Sequence, residues 1–257
     1  GGVFSEAFDT DYAQGAAIPG WSVRRFSTAN DGGYGTQVTG NPGNGIVYLD
    51  SFGRSTWTNN DDSSTRGELN FHRTTPIDSS GGLDVHVQIL DISGGGGSAK
   101  AGLQVRGDAA DPRSAKVNVE LLKSGTLRAS YREYNGGMQV VGSNSSHSLS
   151  PANPYWLRIE REAGTNTFNF YVVQTGSAPP PPDDPGYDAF WGGAFRTHTL
   201  SSFPDTVSVG LFNASYSTSS ASTSQFDNFS VFPDPSGCPT PPEPAQEFPP
   251  GLQVCTE

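Results

Sequence analysis

The chain contains 257 residues, including 32 glycines and 20 prolines. About a fifth of the sequence therefore consists of the two residues that most weaken helix interiors, which excludes a mainly helical protein. The 26 acidic and 15 basic residues give a formal net charge of -11, which would repel a nucleic-acid backbone. No stretch approaches the roughly 18 consecutive apolar residues of a membrane-spanning helix. We therefore predict neither a nucleic-acid partner nor membrane insertion.

Most of the chain alternates short strand-like runs with turn clusters. Eight segments are predicted to be strands, and most of them show the period-two alternation of apolar and polar residues that is typical of antiparallel strands with one buried face. In chain order they are residues 85–90, 101–106, 116–121, 126–131, 156–161, 167–172, 207–212 and 225–231. The turns that suit hairpins are residues 123–125, 135–137 and 163–166. Residues 1–233 are therefore predicted to form one all-β sandwich, with Trp21 and Trp156 in its core.

An insertion of residues 178–192 interrupts this pattern. Four consecutive prolines, Pro179 to Pro182, precede Tyr187 and Trp191. Such a run favours a stiff polyproline conformation. The insertion is therefore predicted to be a rigid addition to the sandwich that carries two large aromatic rings.

A second proline-rich segment, residues 234–257, forms a C-terminal tail that contains both cysteines of the chain, Cys238 and Cys255. Two cysteines in one short tail predict a local disulfide and hence an oxidising compartment. A pair of free thiols is the alternative, and no further cysteine or histidine lies near them to complete a metal site.

An ordered set of motifs runs from about residue 4 to 232. Its main members are Phe4-Ser5-Glu6-Ala7-Phe8, Pro19-Gly20-Trp21, Ala101-Gly102-Leu103-Gln104-Val105-Arg106, Trp156-Leu157-Arg158-Ile159-Glu160-Arg161 and Phe226-Asp227-Asn228-Phe229-Ser230-Val231. This set resembles a bacterial family of concanavalin A-like lectin/glucanase jelly-roll domains, which occur in secreted carbohydrate-active and surface proteins. The resemblance implies an antiparallel jelly-roll sandwich, a secreted protein and a glycan partner.

The same resemblance implies a structural calcium ion that ties the first strand to the last. Glu6 and Asp227 would be its carboxylate ligands, and backbone carbonyls would complete a shell of oxygen atoms. In the alternative interpretation, Glu6 is exposed to solvent and Asp227 hydrogen-bonds a turn.

Sugar recognition needs flat aromatic faces for the C–H side of a pyranose and planar polar groups for its hydroxyls. The candidate glycan-binding residues are Arg106, Tyr131, Arg132 and Tyr134 on the central strands, Tyr187 and Trp191 in the insertion, and Tyr34 and Trp57 in early loops. Trp191 is equally suited to closing the edge of the sandwich. Arg106 and Arg132 are equally suited to structural pairing with Glu120 or Glu133.

Catalytic motifs are incomplete. Arg66-Gly67-Glu68-Leu69 and Gln88-Ile89-Leu90 look similar to two strands of jelly-roll polysaccharide lyases, but Leu90 stands where their histidine is expected. Neither the alternating-carboxylate strand of glucanases nor the Gly-x-Ser-x-Gly nucleophile motif occurs. The chain is therefore predicted not to be an enzyme, with a polysaccharide lyase as the less favoured alternative.

Together these observations predict a non-catalytic, lectin-like domain that binds an extracellular polysaccharide on its concave sheet. The alternative is a structural subunit of an extracellular filament or surface layer. Such a subunit would associate with its neighbour through residues 234–257.

Overall fold

The computed structural model describes residues 4–6, 17–26, 37–41, 46–53 and 68–233. Within these ranges, sixteen strands form two antiparallel sheets that pack face to face. One helix is described, α1 (Tyr187–Trp191), and it has five residues. No helix of the described residues is long and apolar enough to cross a membrane. The predicted antiparallel β-sandwich is confirmed.

Each sheet has seven strands in a row and one further strand beside them. In spatial order, the first sheet contains β14 (Arg196–Thr199), β13 (Thr167–Gln174), β12 (Tyr155–Arg161), β7 (Leu83–Gly94), β16 (Ser217–Phe232), β4 (Ile46–Gly53) and β3 (Gln37–Asn41), and β1 (Phe4–Glu6) pairs with β16. The second sheet contains β11 (Gln139–Asn144), β10 (Leu127–Arg132), β9 (Lys116–Leu122), β8 (Lys100–Arg106), β15 (Thr206–Ala214), β5 (Glu68–Arg73) and β2 (Trp21–Phe26), and β6 (Ile77–Asp78) pairs with β15.

The core lies between the sheets and consists of alternate residues of their strands. Trp21 belongs to it as predicted, because its ring stacks on Phe71 with centroids 4.4 Å apart and meets Phe229 edge-on at 4.9 Å. Burying each large apolar side chain stabilises the fold by about 1.5–3 kcal/mol. Trp156 is also buried, but it faces away from this core and belongs to a separate aromatic cluster.

All eight predicted strands are present, and the three predicted turns connect β9 to β10, β10 to β11 and β12 to β13. The sequence pattern did not predict α1, which lies in the insertion between β13 and β14. Its backbone begins with a bond from the Tyr187 amide to the Asp184 carbonyl and ends at Gly192, whose φ is 63°. A helix of five residues is too short to produce an apolar stripe over several turns.

Candidate functional site

The outer face of the first sheet carries a patch of polar and aromatic side chains. On β12, Trp156, Arg158 and Glu160 face away from the core because side chains alternate along a strand. On β7, Asp84 and His86 do the same. The strand register places Arg158 opposite His86 and Glu160 opposite Asp84. Four ionisable side chains therefore lie next to one another on two paired strands.

The 178–192 insertion folds over this patch. Its helix α1 places Tyr187 and Trp191 against the sheet, where they form an aromatic cluster with Trp156. The rings of Tyr187 and Trp191 meet edge-on with centroids 6.0 Å apart, and each residue is 3% exposed. Of the two roles predicted for Trp191, the buried position matches a plug better than an open sugar platform.

Arg158 lies among three aromatic rings of this cluster. Its guanidinium carbon is 4.5 Å from the ring centre of Tyr171, 4.8 Å from that of Tyr187 and 5.5 Å from that of Trp191. Arg158 Nε and Nη2 donate to Asp84 Oδ2 at 2.9 and 2.5 Å. The rings and the carboxylate together compensate the cost of removing the charged Arg158 guanidinium from water, since this side chain is almost fully buried.

A chain of hydrogen bonds connects Asp84, Tyr187 and His86. The Tyr187 hydroxyl donates to Asp84 Oδ1 at 2.9 Å and lies 3.1 Å from His86 Nδ1. A hydroxyl has one proton, so His86 Nδ1 donates to Tyr187 in this arrangement. Burial raises the pKa of Asp84, but the neighbouring His86 and Arg158 outweigh it and hold that pKa below its ordinary value. Burial and the charge of Asp84 raise the pKa of Tyr187, which keeps its hydroxyl protonated.

Two further carboxylates, those of Glu160 and Glu162, lie beside these hydrogen-bonded residues. Glu160 Oε2 accepts the Tyr171 hydroxyl at 2.6 Å, and burial together with this bond raises the pKa of Tyr171. Asn169 Nδ2 is shared between Glu160 Oε2 at 3.3 Å and Glu162 Oε1 at 3.2 Å. Glu162 and Asp183 are exposed, and among the described side chains neither has a cationic partner.

Two cavities adjoin the insertion. The larger, which we call the insertion cavity, has a volume of about 650 Å³, and its walls include Asp84, Arg158, Glu160, Glu162, Asp183, Tyr187, Asp188 and Phe232. The smaller, which we call the proline groove, has a volume of about 360 Å³, and its walls include His86, Trp156, Pro179, Pro180, Pro181, Pro182, Phe229 and Ser230. Pro182 lines both cavities, so the polyproline run separates them.

Replacing Tyr187 with phenylalanine removes the hydroxyl that joins the insertion to the sheet. Because Asp84 Oδ1 and His86 Nδ1 then lose a buried partner, we expect the free energy of unfolding to fall by about 1–3 kcal/mol. Urea unfolding measures the change. Tyr134→Phe is the matched control, since Tyr134 is 58% exposed and its substitution should cost less than about 0.5 kcal/mol. Equal effects of the two substitutions would show that the hydroxyl does not hold the insertion.

Arg106 and Arg132 lie on the outer face of the second sheet. They are 1% and 0% exposed, and both guanidiniums donate to backbone carbonyls of the loop 107–115 at 2.5 to 3.1 Å. These contacts fold the loop back onto the sheet. The structural alternative for the two arginines therefore describes their surroundings better than contact with a ligand does, and loop carbonyls are among their hydrogen-bond acceptors.

The remaining predicted glycan-binding residues are spread over the molecule. Tyr131 is partly buried at the sandwich edge, where it stacks on His198 with ring centroids 3.8 Å apart. Tyr134 is exposed in the turn after β10. Tyr34 and Trp57 lie outside the described residues. The structure thus brings Arg106 near Arg132 and Tyr187 near Trp191, but places the two pairs on different sheets.

The outer face of the second sheet carries a buried polar network. Glu68 Oε1 accepts hydrogen bonds from Asn70 at 3.2 Å, from Gln104 at 3.1 Å and from Lys116 at 3.2 Å. Nearby, burial and the charge of Arg106 lower the pKa of His72 to about 4. These side chains are almost fully buried, apart from the partly buried His72. Binding of a polysaccharide on a concave sheet stays a prediction.

A second buried group on this face centres on Glu120. Its carboxylate is paired with Lys100 at 3.0 Å and with Arg128 at 2.5 Å. Burial raises the pKa of Glu120, but the two cations outweigh it and hold that pKa below its ordinary value.

The described parts of the two lyase-like motifs lie on different sheets, and Arg66 and Gly67 lie outside the described residues. Glu68 lies on β5 of the second sheet, whereas Gln88 lies on β7 of the first. Because the two sheets present their outer faces on opposite sides of the sandwich, these residues cannot contact one substrate together.

The calcium prediction concerns paired strands. Glu6 on β1 is opposite Phe229, two residues beyond Asp227 on β16. This register leaves the two positions close to each other on paired strands, which is compatible with a shared hard cation. Asp227 Oδ1 accepts the Asn228 amide at 2.6 Å. Calcium at this pair stays a prediction, as does the disulfide, because Cys238 and Cys255 lie outside the described residues.

The fold occurs in solved proteins of low sequence identity. An endo-1,3-beta-glucanase from Streptomyces sioyaensis matches with a TM-score of 0.53 and 15% identity over 90% of this chain and 95% of that one. Lectin II from Ulex europaeus matches with a TM-score of 0.53 and 8% identity over 89% and 97%. No protein family model and no curated protein sequence matches the chain. At such low identity, the structural similarity establishes the fold alone. The predicted concanavalin A-like jelly roll is confirmed.

Sequence reasoning missed the residues that the structure brings together under the insertion. Asp84, His86, Arg158 and Glu160 lie at alternate positions of β7 and β12. Their alternate spacing predicts that those on one strand share a face. The large aromatic rings of the insertion indicate that it packs against part of a sheet. Only the pairing of β7 with β12 shows that the two sets are neighbours.

Proposed function

We propose that the chain is a non-catalytic carbohydrate-binding domain whose ligand occupies the insertion cavity. The observation that carries this proposal is the make-up of the cavity wall. Glu160, whose side chain is 32% exposed, supplies a carboxylate for sugar hydroxyls, and the partly buried Phe232 supplies aromatic surface for the C–H side of a ring. A volume of about 650 Å³ lies within the range of small-molecule sites.

The fold supports carbohydrate ligands in general, since its structural neighbours include both glucanases and lectins. The contacts of the carboxylates support binding over catalysis. Arg158 and Tyr187 occupy both oxygens of Asp84, while Tyr171 and Asn169 donate to Glu160. The bonds to Asp84 stabilise its ionised form and hold its pKa below the ordinary value, so it does not serve as a proton donor. An extracellular location is part of the proposal and rests on the resemblance given above.

Isothermal titration calorimetry of the full chain against cellulose-, laminarin-, xylan- and chitin-derived oligosaccharides tests this function. We expect saturable binding of at least one oligosaccharide with one site per chain, and no release of reducing ends on incubation. Glu160→Gln should weaken binding by about tenfold or more, because a hydrogen bond to a charged group contributes about 1.5–3 kcal/mol.

Glu133→Gln is the matched control. Glu133 follows β10 of the other sheet, and its carboxylate accepts a hydrogen bond from the Ser201 amide at 2.8 Å. It should leave the affinity unchanged. Absence of saturable binding, or equal affinities of the Glu160→Gln variant and the wild type, would contradict the proposal.

A further inference from the structure

We infer that the insertion cavity selects glycans that carry free amino groups, such as glucosamine oligomers, and rejects glycans that carry uronate or sulfate. This inference rests on the proposed glycan-binding function and adds the chemical class of the ligand. It follows from the charges in the cavity wall and from the way the cations in that wall are already paired.

Acidic side chains dominate the wall. Five carboxylates line the cavity, those of Asp84, Glu160, Glu162, Asp183 and Asp188, whereas two arginines do so, Arg158 and Arg161. A low-dielectric wall of one sign raises the local concentration of ligands of the opposite sign. The cavity therefore favours a positively charged ligand before any specific contact forms.

Both arginines are neutralised within the protein. Arg158 donates twice to Asp84. The Arg161 guanidinium pairs with Asp205 at 3.1 Å and donates to Ser79 Oγ at 2.6 Å. Neither is left to pair with a carboxylate or a sulfate of a ligand. The wall carboxylates would therefore repel an anionic sugar, and no unpaired cation among the described residues of the wall would offset this repulsion. The binding free energy of such a sugar is thus less favourable.

The accessible carboxylates come from separate elements. Glu162 follows β12, and Asp183 belongs to the insertion, so the sheet and the insertion each contribute a carboxylate that can attract an ammonium group in the cavity. Among the described residues, no three acidic, histidine or cysteine side chains converge closely enough to hold a metal ion. Spread carboxylates fit amino groups that repeat along a glycan better than they fit one compact cation.

The test compares three tetrasaccharides by calorimetry at one mildly acidic pH: β-1,4-linked glucosamine, its N-acetylated form and galacturonate. We expect glucosamine to bind at least about tenfold more tightly than the N-acetylated form, because several carboxylates act together where a single exposed pair shifts affinity only several-fold. Raising the salt concentration should shrink this difference, and galacturonate should bind most weakly.

The double substitution Glu162→Gln, Asp183→Asn should remove the preference for glucosamine and leave the affinity for the N-acetylated form unchanged. Glu133→Gln, Asp91→Asn removes the same number of charges elsewhere and should keep the preference, which separates the effect of the cavity from that of net charge. All four substituted residues are at least partly exposed, so neither double substitution disturbs the core. The melting temperatures of both variants should therefore agree with that of the wild type.

Two outcomes would overturn the inference and keep the proposed function: equal binding of both neutral and amino forms, or tightest binding of galacturonate. A preference for glucosamine that survives the Glu162→Gln, Asp183→Asn substitution would also overturn it. Failure of these tetrasaccharides and of all neutral oligosaccharides to bind would overturn the proposed function itself.

Discussion

Replacing Glu120 with glutamine should lower the free energy of unfolding by about 3–5 kcal/mol, the typical cost of removing one partner from a buried ion pair. Glu120 is 0% exposed, and its carboxylate faces both Lys100 at 3.0 Å and Arg128 at 2.5 Å. The neutral amide would leave two cations on the outer face of the second sheet without this counter-charge. Urea unfolding of the variant and the wild type measures the loss.

The pH dependence gives a second readout of the same group. The native pKa of Glu120 lies below its ordinary value, so its contribution is fully present above the unfolded-state pKa of about 4.3 and is lost as the pH falls through the native pKa. Wild-type stability should therefore decrease more steeply on acidification than that of Glu120→Gln. A loss as small as that of the control Glu133→Gln, with parallel pH profiles, would contradict the role assigned to Glu120.

Gly102→Ala should destabilise the protein by about 3 kcal/mol or more, because the second sheet leaves no room for a methyl group there. A Cβ at Gly102 would collide with the carbonyl oxygen of Val119 and lie 2.8 Å from the Cα of Glu120. Both atoms belong to the backbone of the neighbouring strand β9, so they cannot move aside as a flexible side chain would. Thermal and urea unfolding measure the effect.

Gly176→Ala is the control for this substitution. A Cβ at Gly176 would meet no atom within 4 Å, and its φ is outside the left-handed region. The change should alter stability by less than about 0.5 kcal/mol. Similar stabilities of the Gly102→Ala and Gly176→Ala variants would show that β8 and β9 are less closely packed than the structure indicates.

The strands could be predicted because the pattern that identifies each strand lies within its own residues. A side chain on β7 or β12 must alternate between core and solvent, so the period of two in the sequence identifies both elements and the residues that share a face. The turns follow from glycines between these runs. The helix α1 could not be predicted in this way, since its rings are buried by the sheet beneath it and not by a repeating pattern of its own.

The site was harder to predict because it depends on contacts between distant residues. Arg106 and Arg132 have the chemistry of ligand-binding residues, but the loop 107–115 returns to the sheet and supplies carbonyls to both. Tyr187 was a correct choice of an important residue, yet its partner Asp84 is 103 positions away. Nothing in either local sequence shows that these two residues meet.

A crystal structure of the full chain with a bound oligosaccharide tests the central claim most directly. The account predicts sugar density in the insertion cavity, beside Arg158, Glu160 and Phe232. Density on the outer face of the second sheet, beside Glu68 and Gln104, with an empty insertion cavity, would contradict it.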